Sequence, residues 1–149
     1  MAGTVAIGIQ QFNEIRKKGY FYIDKTAFIR EWWEKGDSVT LITRPRRFGK
    51  TLTMSMVEQF FSVKYAGQQN LFEGLAIWET KAYREIQGTY PVISLSFANL
   101  KEPSYELTRQ KVCDQLQQLY TEHAYIWESG ILKLSLIHIS EPTRQEAIS

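Results

Sequence analysis

Cysteine is almost missing from this chain. Cys113 stands alone, so no internal disulfide can form, and this fits a reducing, cytoplasmic compartment. Long apolar runs are missing too: no stretch approaches the roughly 20 residues that a membrane span needs. The opening MAGTVAIGIQ lacks the basic start and apolar block of a signal peptide, and the sequence predicts no membrane partner. His123 has no Cys, His or carboxylate at metal-ligand spacing, which leaves it a plain helix or loop residue. No internal repeat and no low-complexity segment occurs. An excess of one charge is also absent. The net charge of +2 is too small to imply nucleic-acid binding by itself. What remains, 149 residues of which 44% are hydrophobic and 23% charged, suits one globular domain with a core.

One local absence carries more information. From Ser38 to Val57 there is no Asp or Glu, while Arg44, Arg46, Arg47 and Lys50 are all cationic. The segment SVTLITRPRRFGKTLTMSMVEQFF opens with a β-branched run, Val39 to Ile42, that predicts a buried strand. It closes with a helix whose apolar residues Leu52, Met56 and Phe60 fall at i, i+4 and i+8, widened by Val57 and Phe61. A strand, a turn ending in Gly-Lys-Thr and an amphipathic helix form the layout of a phosphate-binding loop.

Each residue type in that loop has a physical reason. A helix N-terminus offers unpaired N–H groups and a partial positive charge to phosphate oxygens. Gly49 lets the backbone approach an anion with no Cβ in the way. Lys50 would place its ammonium on the terminal phosphates, and Thr51 its hydroxyl on Mg2+. The backbone of Arg46, Arg47 and Phe48 would wrap the phosphates. Arg44 stands where the general pattern has glycine. A basic, solvated turn is therefore the alternative reading of the same residues.

RPRRFGKT, preceded by YFYIDKTAFI and followed by LFEGLAIWE and YPVISLSFA, resembles the predicted AAA-ATPase-like family of bacterial proteins, over about Ile7 to Ile131. RPRRFGKT is the usual form of the loop in that family, which makes Arg44 a family trait. The resemblance implies an ATP-binding P-loop core with Mg2+, from a parent ATPase that often carries a nuclease-like domain further along. A nucleic-acid partner would come through that further domain, and no oligomeric state is implied. Asp24-Lys25-Thr26 belongs to the resemblance without a contact assigned to it. A second strand of P-loop ATPases ends in a metal-holding carboxylate, whereas PVISLSF runs into Phe97-Ala98-Asn99. The resemblance puts the acidic strand beyond the helix that ends this chain, and beside the loop strand in the sheet. The expectation is therefore a fragment that binds ATP, lacks that strand, holds no catalytic residue and hydrolyses ATP poorly.

The other segments read as follows. Ile9, Phe12 and Ile15 predict a short helix stopped by Gly19, and Tyr20 to Ile23 an extended segment. Asp24 caps a helix with Phe28, Ile29, Trp32 and Trp33 on one face, closed by Gly36. Tyr22 could stack on an adenine, or it could be core with Phe21, Trp32 and Trp33. Pro91 to Phe97 predicts a second strand. Ser104 caps a long helix whose apolar face carries Val112, Leu116, Leu119 and Tyr120. Cys113 beside them reads as a buried small hydrophobe. Two strands separated by helical stretches predict an α/β fold: a truncated P-loop NTPase core, AAA- or STAND-like, with parallel strands and flanking helices.

The end of the chain differs in character. Leu134 to Ser149, LSLIHISEPTRQEAIS, reads as a translated transposase-type sequencing-library adapter, with a native amphipathic tail as the alternative. The expected organisation is an incomplete P-loop domain over 1–133 and a non-native tail over 134–149. A rival from another class is a nucleic-acid-binding module that contacts phosphate backbone through Arg44, Arg46, Arg47 and Lys50. Its cations sit at one turn between buried elements rather than along an open face, which counts against it.

Overall fold

A computed structural model describes residues 4–5 and 7–129; the segment 134–149 read as an adapter lies outside the described residues. Contacts divide the chain into Met1–Val92 and Ile93–Ser149.

The first unit is built on four α-helices joined by turns. α1 (Phe12–Lys17) begins without a side-chain cap. Its first N–H is satisfied instead from another helix, by the Ser55 Oγ at 3.1 Å. At its end Tyr20 N–H donates to Ile15 O at 3.1 Å and Gly19 N–H to Arg16 O at 3.3 Å. These two bonds form a Schellman closure, which requires the left-handed φ of 65° that Gly19 adopts. α2 (Ala27–Lys35) ends at Gly36 as its sequence predicts, also at φ 65°. α3 (Lys50–Phe61) follows the Arg44–Gly49 turn.

The expected α3 stripe is the centre of the core. Met56 and Phe60 are fully buried and Phe61 nearly so, with Leu52 and Val57 packed at the margin. Phe12, Ile29, Leu71, Phe72 and Ile77 close around them. The aromatic rings interlock, Phe12 stacking on Phe72 at 5.1 Å and Phe60 meeting Phe72 edge-on at 5.1 Å. Such pairs add about 0.5–1.5 kcal/mol each beyond their buried area. From α1, Arg16 reaches across to the carbonyls of Leu71 (2.8 Å) and Glu73 (2.7 Å). It thereby fixes the short 3-10 turns that lead to α4 (Lys81–Ile86).

The α/β expectation is overturned. No strand forms among the described residues, and the architecture is helical with turns. A single parallel bridge, Ser62 with Tyr90, is the whole of the β pairing among them. The physical reason lies in the two segments assigned to strands. Neither Val39–Ile42 nor Pro91–Phe97 has a partner backbone in hydrogen-bonding register among the described residues. Val39 is 87% exposed and Leu41 83%, so the β-branched run is not buried either. A strand requires a ladder, and local preference for extended backbone does not supply one.

In the second unit, α5 (Tyr105–Glu122) starts as expected at Ser104, whose Oγ accepts from Leu107 N–H at 3.3 Å. α6 (Ala124–Glu128) follows. No residue of α5 is buried, and Cys113, expected inside, is exposed.

Candidate functional site

The turn before α3 is shaped by two left-handed residues. Arg47 has φ 66°, the one non-glycine with positive φ among the described residues, and Gly49 has φ 74°. Gly49 is the N-cap of α3 and carries no side chain to occupy the orphan N–H groups of the first turn. Its carbonyl accepts from Thr53 N–H at 2.8 Å, so the helix starts firmly from the loop.

A cleft of about 340 Å³ opens beside this turn, lined by Lys25, Ala27, Phe28, Glu31, Ile42, Arg44, Phe48, Lys50 and Thr53. Two helix starts meet there, Ala27 and Phe28 from α2 and Lys50 and Thr53 from α3. A shallower depression that shares Ile42, Arg44 and Lys50 with it is lined also by Thr43 and Pro45. Lys50 borders both. Its Nζ donates to the Arg44 carbonyl at 2.7 Å, across the mouth of the turn.

Of the residues expected at a phosphate site, Phe48 and Lys50 line the cleft. Gly49 sits between them as the cap. Arg46, Arg47 and Thr51 are exposed and outside the cleft lining. Three cations, Lys25, Arg44 and Lys50, face a single carboxylate, Glu31, in that lining. Among the described residues no group of three or more His, Cys, Asp or Glu could hold a metal ion. The ion pairs found there, Lys35–Asp37, Lys81–Glu85 and Lys111–Glu102, leave the three cleft cations unengaged by carboxylates.

Lys25, to which the sequence assigns no contact, lines the cleft. Its Nζ donates to the Phe48 carbonyl at 3.3 Å, and a Cβ built on Gly49 would lie 3.2 Å from that same nitrogen. The residues on either side of it bond to the backbone of Ala76 and Ile77. Asp24 Oδ1 accepts from Thr26 N–H (2.8 Å) and Thr26 Oγ1 (2.6 Å), and Asp24 Oδ2 from Ala76 N–H (2.7 Å). The fully buried Thr26 in turn accepts from Ile77 N–H at 3.2 Å. Burial pushes the Asp24 carboxyl up. The bonds from Ala76 and Thr26, with the Arg16 guanidinium, outweigh it and hold the group below its ordinary value. The available signal was the triplet Asp-Lys-Thr itself, a cation between two residues able to bond backbone.

Tyr22 is part of the core margin. Its hydroxyl donates to Met56 Sδ at 3.1 Å and its ring meets Phe12 edge-on at 5.3 Å. Phe21, by contrast, is exposed.

An uncharacterized protein in the vnfD 5' region of Azotobacter chroococcum mcd 1 is 38% identical over 92 residues. The aligned part is 61% of this chain and 16% of that protein, so the chain spans about a sixth of the length of the curated relative it matches. No solved structure matches. A family model described as Predicted AAA-ATPase matches residues 6–147, a span that includes the loop, the cleft-lining residues and most of the segment after Lys133. The chain belongs to this predicted AAA-ATPase family.

Proposed function

We propose that the cleft beside the Arg44–Lys50 turn binds the phosphate chain of a nucleoside triphosphate, ATP, together with Mg2+. The observation that carries this reading is the position of Lys50. It is the first residue of α3, lines the cleft, and rests its ammonium on a neutral carbonyl, that of Arg44. The ammonium–carbonyl bond carries charge on its donor alone, whereas a phosphate oxygen brings the opposite charge and turns the contact into an ion pair. The exchange therefore favours the anion. Membership of a predicted AAA-ATPase family supports the same chemistry.

The residues fit a triphosphate. Arg44 and Lys50 supply charge, the uncapped first turn of α3 supplies N–H groups, and Gly49 keeps the approach free of a Cβ. Arg46, Arg47 and Phe48 would present their backbone to the phosphates. Thr51, exposed on the first turn, would give its hydroxyl to Mg2+, whose other ligands would be phosphate oxygens and water. The metal would neutralise charge on the phosphates. The parent protein would be the ATPase. Hydrolysis also needs metal-holding and water-orienting groups, and Glu31 is the one carboxylate of the cleft lining. This chain would therefore bind ATP without rapid turnover.

The test is titration of the full chain with a fluorescent ATP analogue in Mg2+. Losing a charged hydrogen bond removes about 1.5–3 kcal/mol, so Lys50→Ala should weaken binding roughly 10–150-fold. Unchanged affinity in that variant defeats the proposal. So does salt-dependent DNA binding that Mg-ATP leaves unaffected, which would favour a nucleic-acid module using Arg44, Arg46, Arg47 and Lys50.

A further inference from the structure

We propose that Lys25 is a second cationic ligand of the bound phosphate chain, delivered from the start of α2 to the loop at the start of α3. The inference rests on the nucleotide-binding reading and adds to it a residue from outside the loop.

Three observations point the same way. First, Lys25 borders the cleft and directs its ammonium to the loop carbonyl of Phe48 at 3.3 Å. A solvent-exposed lysine ordinarily leaves its ammonium in water, since ordering a long side chain costs rotamer freedom. Second, its neighbours are anchored. Asp24 is tied to Ala76 N–H and Thr26 to Ile77 N–H, which holds the backbone on both sides of Lys25 against the 3-10 turn at Ala76. Third, Gly49 leaves the space that the ammonium occupies, because a Cβ there would stand 3.2 Å from Lys25 Nζ.

Lys25 and Lys50 are thus held alike, each by a loop carbonyl and neither by a carboxylate. The two carbonyls, of Phe48 and Arg44, belong to the same turn. Moving either ammonium onto a phosphate oxygen breaks no ion pair and exchanges a neutral acceptor for an anionic one. An anion entering the cleft would therefore be gripped from both sides, by Lys50 from α3 and by Lys25 from the α2 side.

The experiment compares the wild-type chain with Lys25→Met, Lys25→Arg and Lys50→Ala. Each is titrated in Mg2+ with fluorescent analogues of ATP and AMP, and its melting midpoint is measured without nucleotide. Lys25→Met should weaken ATP binding about tenfold or more, leave AMP binding within about twofold, and keep the wild-type midpoint. Lys25→Arg should restore most of the ATP affinity, because the charge is kept. Wild-type ATP affinity in Lys25→Met, alongside a loss in Lys50→Ala, overturns this inference and leaves the nucleotide reading standing. Equal losses for ATP and AMP with a lowered midpoint in Lys25→Met would show a structural role and overturn it too. No ATP binding by the wild-type chain would remove both.

Discussion

Replacing Asp24 by Asn tests whether the segment that aims Lys25 is held as described. The Asp24 carboxylate accepts three bonds at 2.6–2.8 Å, two on Oδ1 from Thr26 and one on Oδ2 from Ala76 N–H. Asparagine keeps one oxygen. If that oxygen stays with Thr26, its amide nitrogen faces the Ala76 N–H, so a donor meets a donor. Losing a bond to a charged acceptor and leaving its partner unsatisfied costs about 1–3 kcal/mol. Water can reach this site, since Asp24 is exposed, and the lower end of about 1 kcal/mol applies. For a unit of this size that is a fall of roughly 4–8 °C in melting midpoint. The pH dependence has a definite sign. The Asp24 carboxyl is held below its ordinary value. Its contribution is therefore complete above about pH 3.9 and is lost as pH falls through the depressed value. Thermal melts followed by circular dichroism at pH 7 and in steps down to pH 3 should show the gap between wild type and Asp24→Asn closing at the acid end. Equal midpoints at pH 7, or a gap that stays constant to pH 3, would refute the account of this strap.

Two further outcomes follow from the packing. Gly88 has φ 69°, and a Cβ there would lie 2.7 Å from Ala66 Cα and 3.1 Å from Ala66 N. Gly88→Ala should cost about 1–2 kcal/mol for the left-handed backbone and about 1–3 more for overpacking. Gly74→Ala, at φ 78° with nothing within 4 Å, should show the backbone part alone in urea unfolding followed by tryptophan fluorescence. Equal losses would contradict the close approach. Burial, chiefly, pushes the Tyr22 phenol up to about 12. Ultraviolet titration should show a phenol still neutral at pH 11 that disappears in Tyr22→Phe. Because the folded value is the higher one, stability tied to Tyr22 is full below about pH 10 and declines as pH rises toward 12.

What the sequence made legible was local. The Gly19 stop of α1, the Gly36 stop of α2, the Ser104 cap of α5 and the Met56–Phe60 stripe of α3 each depend on residues within a turn or two. The loop was legible in the same way, as Gly49 and Lys50 at a helix start with no acid nearby. What the sequence hid was contact over distance. Ser55 supplies the missing cap of α1 from 43 residues away, and Asp24 reaches Ala76 across 52. Nothing in the spacing of either residue announces a partner.

The failed strands belong to the same class of contact. Val39–Ile42 and Pro91–Phe97 have the β-branched and aromatic content of strands, and that content describes only what the backbone prefers when a neighbour is present. Without a ladder, the segments hold scattered side-chain bonds instead, Gln115 Nε2 donating to Ser96 O at 3.2 Å and Trp32 Nε1 to Thr40 Oγ1 at 2.9 Å. The loop does not depend on that ladder for its shape. Arg47 and Gly49 set the turn by their own dihedrals, α3 anchors it through Met56 and Phe60, and Asp24 and Thr26 hold the residue that faces it from α2. The proposed phosphate cradle would thus be assembled from two helix starts and a strap. If that is sufficient, disturbing the strap at Asp24 should weaken ATP binding through Lys25. Shortening Leu41 to Ala, at a position 83% exposed, should leave it unchanged.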